Sequence, residues 1–245
     1  MTMSKLLWLH IKKSGGTSLR DLLQPEYLLA DRSHKPQSFI QSDKSLWNDI
    51  LNNYRTPLGD LQFKRMLFSK DHLYSDAEFE RLFKFAFCRE PVSRCVSQFA
   101  YLWRRASVQA HFTRVGKQLF DFDLRSNISW DFDRFLDAIV EVRCSDSNLS
   151  PYGLHFQTHT ASMFDDVTDE NGRILLNKIW RLEELDDALQ HLANEVGADV
   201  STRNAVVHKN KSRSVFYKPS RAQKAKITSI FEKDFDLYDS TQDIR

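Results

Sequence analysis

Cysteine is scarce in this chain of 245 residues: Cys88, Cys95 and Cys144, an odd number without regular spacing. That excludes a disulfide framework and a paired-cysteine zinc motif, and it fits reduced thiols that pack as small hydrophobes. Glycine (7) and proline (6) are few as well, which argues against long flexible linkers. No apolar run approaches the roughly 20 residues of a membrane span. Leu6–Leu9 is too short for the core of a signal peptide and runs straight into a loop. The expectation is a cytoplasmic protein with no transmembrane segment. Acidic residues are missing between Asp199 and Glu232, where eight lysines and arginines lie between Arg203 and Lys226. Such a run suits an anionic ligand and suits a solvated basic face equally.

What is present is ordinary for a globular protein: 41% hydrophobic, 28% charged and a net charge of +2. A chain of this length can bury a full core, most simply as one domain over residues 1–245. Leu6–Ile11 reads as a buried strand and Thr17–Leu23 as a helix start. Ser45–Tyr54 carries Leu46, Ile50 and Leu51 at helical spacing, Phe63–Ser69 reads as a second strand, and Asp76–Phe83 as a short helix. Phe85–Cys88 ("FAFC") reads as a third, fully buried strand. Pro91 suits the first turn of the next helix, whose apolar face is Val92, Val96, Phe99 and Trp103. Trp130–Val142 is amphipathic, Leu175–Leu182 returns to the sheet, and Glu183–Val196 and Ser220–Phe235 are helical. Strands alternating with helices predict an α/β fold, three-layered and P-loop-like, with a mostly parallel sheet flanked by helices.

In such folds ligands bind beyond the carboxyl ends of strands. Two stretches fall there. In "LHIKKSGGTSL" an apolar run ends at a lysine pair, a glycine pair and hydroxyls, then opens a helix. Unpaired helix-start amides, Lys13 and the hydroxyls of Ser14, Thr17 and Ser18 suit a phosphate-like oxyanion. The order is not Walker A, because lysine precedes Gly15-Gly16 instead of following the last glycine. An ordinary ATPase or GTPase is disfavoured, and so is the usual catalytic magnesium. The second stretch, "FCREPVSRCVSQF", ends a buried strand at Arg89 and carries Ser97 in the following helix. Together they can clamp one phosphate if that helix packs back across the sheet. Arg94, between them, reads as a surface residue or a partner of Glu90.

Together the two stretches resemble the donor-binding motifs of sulfotransferases that use 3′-phosphoadenosine-5′-phosphosulfate (PAPS). The nearest likeness is to the carbohydrate, Golgi-type group and its bacterial relatives. There the first motif reads approximately H-I-P-K-[TS]-G-G-T-S and grips the 5′-phosphosulfate, and the second approximately R-[DE]-P-x-x-R-x-x-S and grips the 3′-phosphate. The resemblance implies that Lys13, Ser14, Gly15, Gly16, Thr17 and Ser18 hold the 5′ end and that Arg89 and Ser97 hold the 3′ end. "HKNKS" resembles a late segment near the donor, which brings in Ser212. Lys12 stands where the family has proline. "WRLEELDDALQHLANEVG" and "YKPSRAQKAKITSIFEKDFDLYD" extend the likeness along the chain.

The resemblance implies sulfuryl transfer from PAPS to a hydroxyl or amine of an acceptor, most simply a glycan. The basic loop neutralises charge, so no metal is called for. Lys13 would stabilise the leaving phosphate, and a base must take the acceptor's proton. His72, after Met66-Leu67-Phe68, is the first candidate base. Some carbohydrate sulfotransferases place a glycine-histidine pair there, where this chain has Asp71-His72. His155 and His159 are the rivals. Four-residue spacing suits zinc on a helix, but no third ligand is evident. Their segment resembles the family's acceptor-side loop. The alternatives are a P-loop-like ATP-dependent kinase and a non-catalytic nucleotide or polyanion binder. No aromatic RNA-binding signature accompanies the basic run, so nucleic acid is not the expected partner.

Overall fold

The strand signals at both motifs are short apolar runs of the kind buried on two faces. A computed structural model describes residues 6–23, 26–31, 36–102, 128–144, 153–194, 196–200 and 217–241. Strand β1 (Leu6–Leu9) leads into helix α1 (Gly16–Leu22). A 3₁₀ turn at Lys44–Leu46 precedes α2 (Trp47–Leu51), and α3 (Arg65–Phe68) continues as a π turn over Ser69–Leu73. Then come α4 (Asp76–Arg81), β2 (Phe83–Cys88), α5 (Pro91–Leu102), α6 (Ile128–Cys144), α7 (Gly153–Thr160) and α8 (Met163–Val167). Strand β3 (Lys178–Arg181), α9 (Leu185–Asn194), α10 (Arg221–Ile230) and α11 (Glu232–Ser240) complete the described residues.

The sheet runs β1-β2-β3 and both pairings are parallel, with Leu6 opposite Phe83 and Phe85 opposite Lys178. Alternation along each strand divides its side chains between two cores. Leu7, Leu9, Ala86, Cys88 and Ile179 pack against α3, α4, α8 and α11. Leu6, Trp8, Phe85, Phe87 and Trp180 pack against Leu19 of α1 and Ala188, Leu189 and Leu192 of α9. A third cluster lies off the sheet, where Phe99 of α5 meets Phe132 and Phe135 of α6, Phe156 of α7 and Ile227 of α10. The expected α/β fold with helices on a parallel sheet is what forms.

The outer edge of β1 is closed by side chains rather than by another strand. Asn48 accepts from the Trp8 N–H (3.1 Å) and donates to the Trp8 carbonyl (2.8 Å). Asn52, at the end of α2, accepts from the His10 N–H (2.7 Å) and also donates to the Trp8 carbonyl (2.8 Å). Two amides thus satisfy the backbone groups that an edge strand leaves open.

Three expectations change in detail. Phe63–Ser69 holds no strand: Arg65–Phe68 is helix α3, and Ser69 opens the π turn. Its apolar core, Met66-Leu67-Phe68, is too short for periodicity to choose, and the buried Arg65–Asp166 pair anchors it as a helix against α8. The return to the sheet is confined to Lys178–Arg181. The last helix is two, broken at Phe231, whose φ of −120° and ψ of 29° leave the helical region. Ser220 caps the first of them in a capping box with Gln223.

Candidate active site

The loop from His10 to Gly15 joins β1 to α1 at the carboxyl end of the sheet. Two of its residues turn left-handed: Gly15 at φ 81° and Lys13 at φ 70°. The strain at Lys13 belongs to a non-glycine residue, in a region that costs roughly 1–2 kcal/mol. The glycine pair is needed by the loop's own packing. A Cβ on Gly16 would lie 1.8 Å from Nε2 of His10, and one on Gly15 would lie 2.4 Å from Cδ1 of Leu182. Residues that follow β1 and β3 are therefore pressed together.

A polar network holds this loop from beneath. The Lys12 ammonium is buried, donates to the Asn52 carbonyl (2.6 Å) and lies 3.4 Å from Nδ1 of His10. Burial first, then the neighbouring Arg65 and Arg20, push Lys12 well below the usual lysine range. Burial and then Lys12 do the same to His10. Arg65 donates to the His10 carbonyl (3.2 Å) while paired with Asp166. Arg94 is fully enclosed too. Its Nε donates to the Lys12 carbonyl (3.1 Å), one terminal nitrogen to the Ala161 carbonyl (2.8 Å), and the other pairs with Asp234 (3.3 Å). One guanidinium thus ties the loop, the end of α7 and α11 together. The expected surface position or Glu90 pairing of Arg94 is overturned by its burial at 3% exposure.

Inside the loop the Ser14 hydroxyl is buried and has no hydrogen-bond partner among the described residues. The N–H groups of Gly15, Gly16 and Thr17 form no hydrogen bond to another described residue. Buried polar groups in folded proteins are normally paired, so the Ser14 hydroxyl marks a place for a polar ligand. Arg89, half-buried just beyond β2, reaches the Lys13 carbonyl at 3.5 Å. All three strand ends thus supply residues to one spot: Lys13 and Gly15, Arg89, and Leu182.

The model of the sulfotransferase family matches residues 2–239. The chain belongs to the sulfotransferase family. In the same comparisons no curated protein and no solved structure matched. Sulfuryl transfer is the chemistry that membership supports.

Among residues named from the sequence, Lys13 and Arg89 meet. Thr17 is exposed and Ser18 half-buried at the start of α1. Ser97 is buried on α5. Ser212 lies outside the described residues. His72 is exposed on the π turn, its ring 5.1 Å from that of Phe68. His155 and His159 lie on a true helix, α7, with their rings edge to face at 4.3 Å. Among the described residues no third His, Cys, Asp or Glu joins them as a metal set. No helix there is long and apolar enough to cross a membrane.

Sequence reasoning missed Arg65, Asn52 and the pair Tyr54 and Tyr101, and it misplaced Arg94. The Lys13 ammonium rests 4.2 Å from the Tyr101 ring centre. Tyr54 stacks on His155 at 4.6 Å, and Tyr101 stacks on His159 at 5.0 Å. A tyrosine in a turn (Tyr54) or on a helix (Tyr101) carries no local mark of such a contact. Only the loop's approach reveals it.

Proposed function

We propose that this protein transfers the sulfuryl group of PAPS to a hydroxyl of a glycan, as one domain over residues 1–245. The reading is supported most by the buried Ser14 hydroxyl, which has no partner among the described residues, in a loop whose N–H groups beside Lys13 are likewise unpaired there. That donor set suits the oxygens of a phosphosulfate. Ser14, Gly15, Gly16, Thr17 and Ser18 hold the 5′ end with Lys13. Arg89 and Ser97 hold the 3′-phosphate, and Ser212 belongs to the same donor side.

As the sulfur–oxygen bond to the 5′-phosphate breaks, negative charge grows on that phosphate. Lys13 and the loop amides are preorganised to meet it, and Arg89 offers a second cation. The loop is held by buried Arg65 and Arg94, so little reorganisation is needed at that moment. Transfer by these cations calls for no metal. A cytoplasmic setting fits the free, buried thiols of Cys88 and Cys95.

The test is calorimetric titration with 3′-phosphoadenosine-5′-phosphate, with adenosine diphosphate as control and no metal added. Tighter binding of the 3′-phosphorylated nucleotide, by about tenfold or more, is expected from one charge-assisted contact worth ~1.5–3 kcal/mol. Arg89→Ala should erase the difference between the two. Equal affinity in the parent protein would remove the donor reading and favour an ATP-dependent kinase or a simple binder.

A further inference from the structure

Helix α7 presents an imidazole that the donor site leaves unused. His159 is buried, with 7% of its surface exposed. Its Nδ1 lies 2.8 Å from the carbonyl oxygen of His155, one turn back on the same helix. A carbonyl only accepts, so the proton sits on Nδ1 and the lone pair on Nε2. No hydrogen bond to Nε2 forms among the described residues.

The ring is fixed on three sides: Tyr101 stacked at 5.0 Å, and the edges of Tyr54 at 5.7 Å and His155 at 4.3 Å. Tyr101 is also the ring beneath the Lys13 ammonium. One aromatic side chain therefore spaces the loop lysine from the imidazole. Arg94 sets the same spacing through the backbone, because it bonds the Lys12 carbonyl and the Ala161 carbonyl just beyond α7. Burial, followed by the charges of His155, Lys12 and Lys13, holds His159 well below the usual histidine range, against the pull of its backbone bond. His10, behind the loop, feels His159 in turn. The imidazole is thus neutral at neutral pH, with its lone pair on Nε2 and its ring one tyrosine away from the loop lysine.

We propose that His159 is the general base of the transfer, its Nε2 taking the proton of the acceptor hydroxyl. The inference rests on the PAPS reading and adds the acceptor side to it. The acceptor O–H bond breaks towards Nε2 and its oxygen bonds to sulfur. The sulfur–oxygen bond to the 5′-phosphate breaks, and the electron pair leaves with 3′-phosphoadenosine-5′-phosphate beside Lys13. The imidazolium then returns its proton to water. Donor binding brings negative charge to Lys12 and Lys13. That weakens the repulsion on His159 and strengthens the base once the donor is in place.

The probe is PAPS hydrolysis, with water as the acceptor, from pH 5 to 9. Affinity for 3′-phosphoadenosine-5′-phosphate is measured in parallel. His159→Asn keeps an N–H for the His155 carbonyl and removes Nε2. It should leave affinity within about threefold, lower hydrolysis by about 10²–10⁴-fold and flatten the acid limb of the profile. Added imidazole should restore part of the loss in His159→Ala. Hydrolysis by His159→Asn equal to the parent's overturns the proposal, and a loss confined to His72→Ala gives the role to His72. Nitrogen NMR of the parent protein is independent of turnover and of variant folding. The neutral Nδ1–H form of His159 is expected at pH 7, moving towards imidazolium when 3′-phosphoadenosine-5′-phosphate binds. An Nε2–H form overturns the proposal. A parent protein that binds no 3′-phosphorylated nucleotide defeats the donor reading itself, which is a different failure.

Discussion

Lys13 combines two demands at one residue: a left-handed backbone and the cation that the proposed transfer needs beside its donor. Lys13→Gly separates them. Glycine relieves a strain of roughly 1–2 kcal/mol and adds an unfolded-state cost of about 0.5–1 kcal/mol, so stability should stay within about 1 kcal/mol of the parent. Transfer should nonetheless fall to background, because the charge is gone. Denaturant unfolding alongside PAPS turnover checks both halves, and retained turnover would remove Lys13 from the reaction. Gly16→Ala tests packing instead. Its Cβ would meet His10 Nε2, on a half-buried ring that also faces Lys12. Displacement of the loop should cost about 1–3 kcal/mol of stability and also weaken donor binding. Unchanged stability would mean that His10 moves freely. At this scale the sequence was legible where chemistry is local. Lys13, the glycine pair and Arg89 stand in two short runs singled out from the sequence, and the Arg89 side chain reaches the Lys13 carbonyl. Arg94 and Arg65 were not legible, because their carboxylates, Asp234 and Asp166, stand 140 and 101 residues away.

At the scale of elements, Arg94 is the part that joins pieces. It sits on α5 and bonds the donor loop, the residue after α7, and α11. Arg94→Met keeps the side-chain bulk but leaves the fully buried carboxylate of Asp234 without its cation. Breaking one partner of such a pair typically costs about 3–5 kcal/mol. The double variant Arg94→Met, Asp234→Leu should recover much of that stability, but the loop's tie to α7 stays lost. Chemical denaturation of both variants checks the first statement. A single variant as stable as the parent would show that the pair is solvated. Turnover that remains low in the double variant checks the second. The elements themselves were readable wherever apolar spacing ran long enough: β1, α1, β2, α5, α6 and α9 fall close to expectation. The failure at Phe63–Ser69 has a physical cause. A three-residue apolar run fits a strand and a helix alike, and the deciding contact, Arg65 with Asp166, is tertiary. The break at Phe231 was hidden for a similar reason, since each half of Ser220–Phe235 keeps helical spacing.

Over the whole molecule, the site lies where three cores meet, so proton and ligand binding there should register in global stability. His10 and His159 are both held well below the ordinary value of 6.5. The unfolded chain takes up protons near that pH and the folded chain resists them. Stability should therefore fall as pH drops below about 6.5, by up to ~1.4 kcal/mol per pH unit for each such histidine. Urea unfolding at several values between pH 7.5 and 5.5 reads that slope, and His159→Asn should remove about one proton from it. An unchanged slope would mean that His159 titrates alike in both states. The ligand acts in the opposite sense. 3′-Phosphoadenosine-5′-phosphate at about 100 times its Kd should add ~2.7 kcal/mol. For a chain of this size that is a rise in Tm of roughly 5–11 °C. Because Arg94 couples the loop on the sheet to the helical cluster of α5, α6, α7 and α10, the melting transition should move as one. A scan in which part of the transition stays in place would show that the helical cluster unfolds independently of the sheet. The coupling from loop to base would then not extend beyond the donor site.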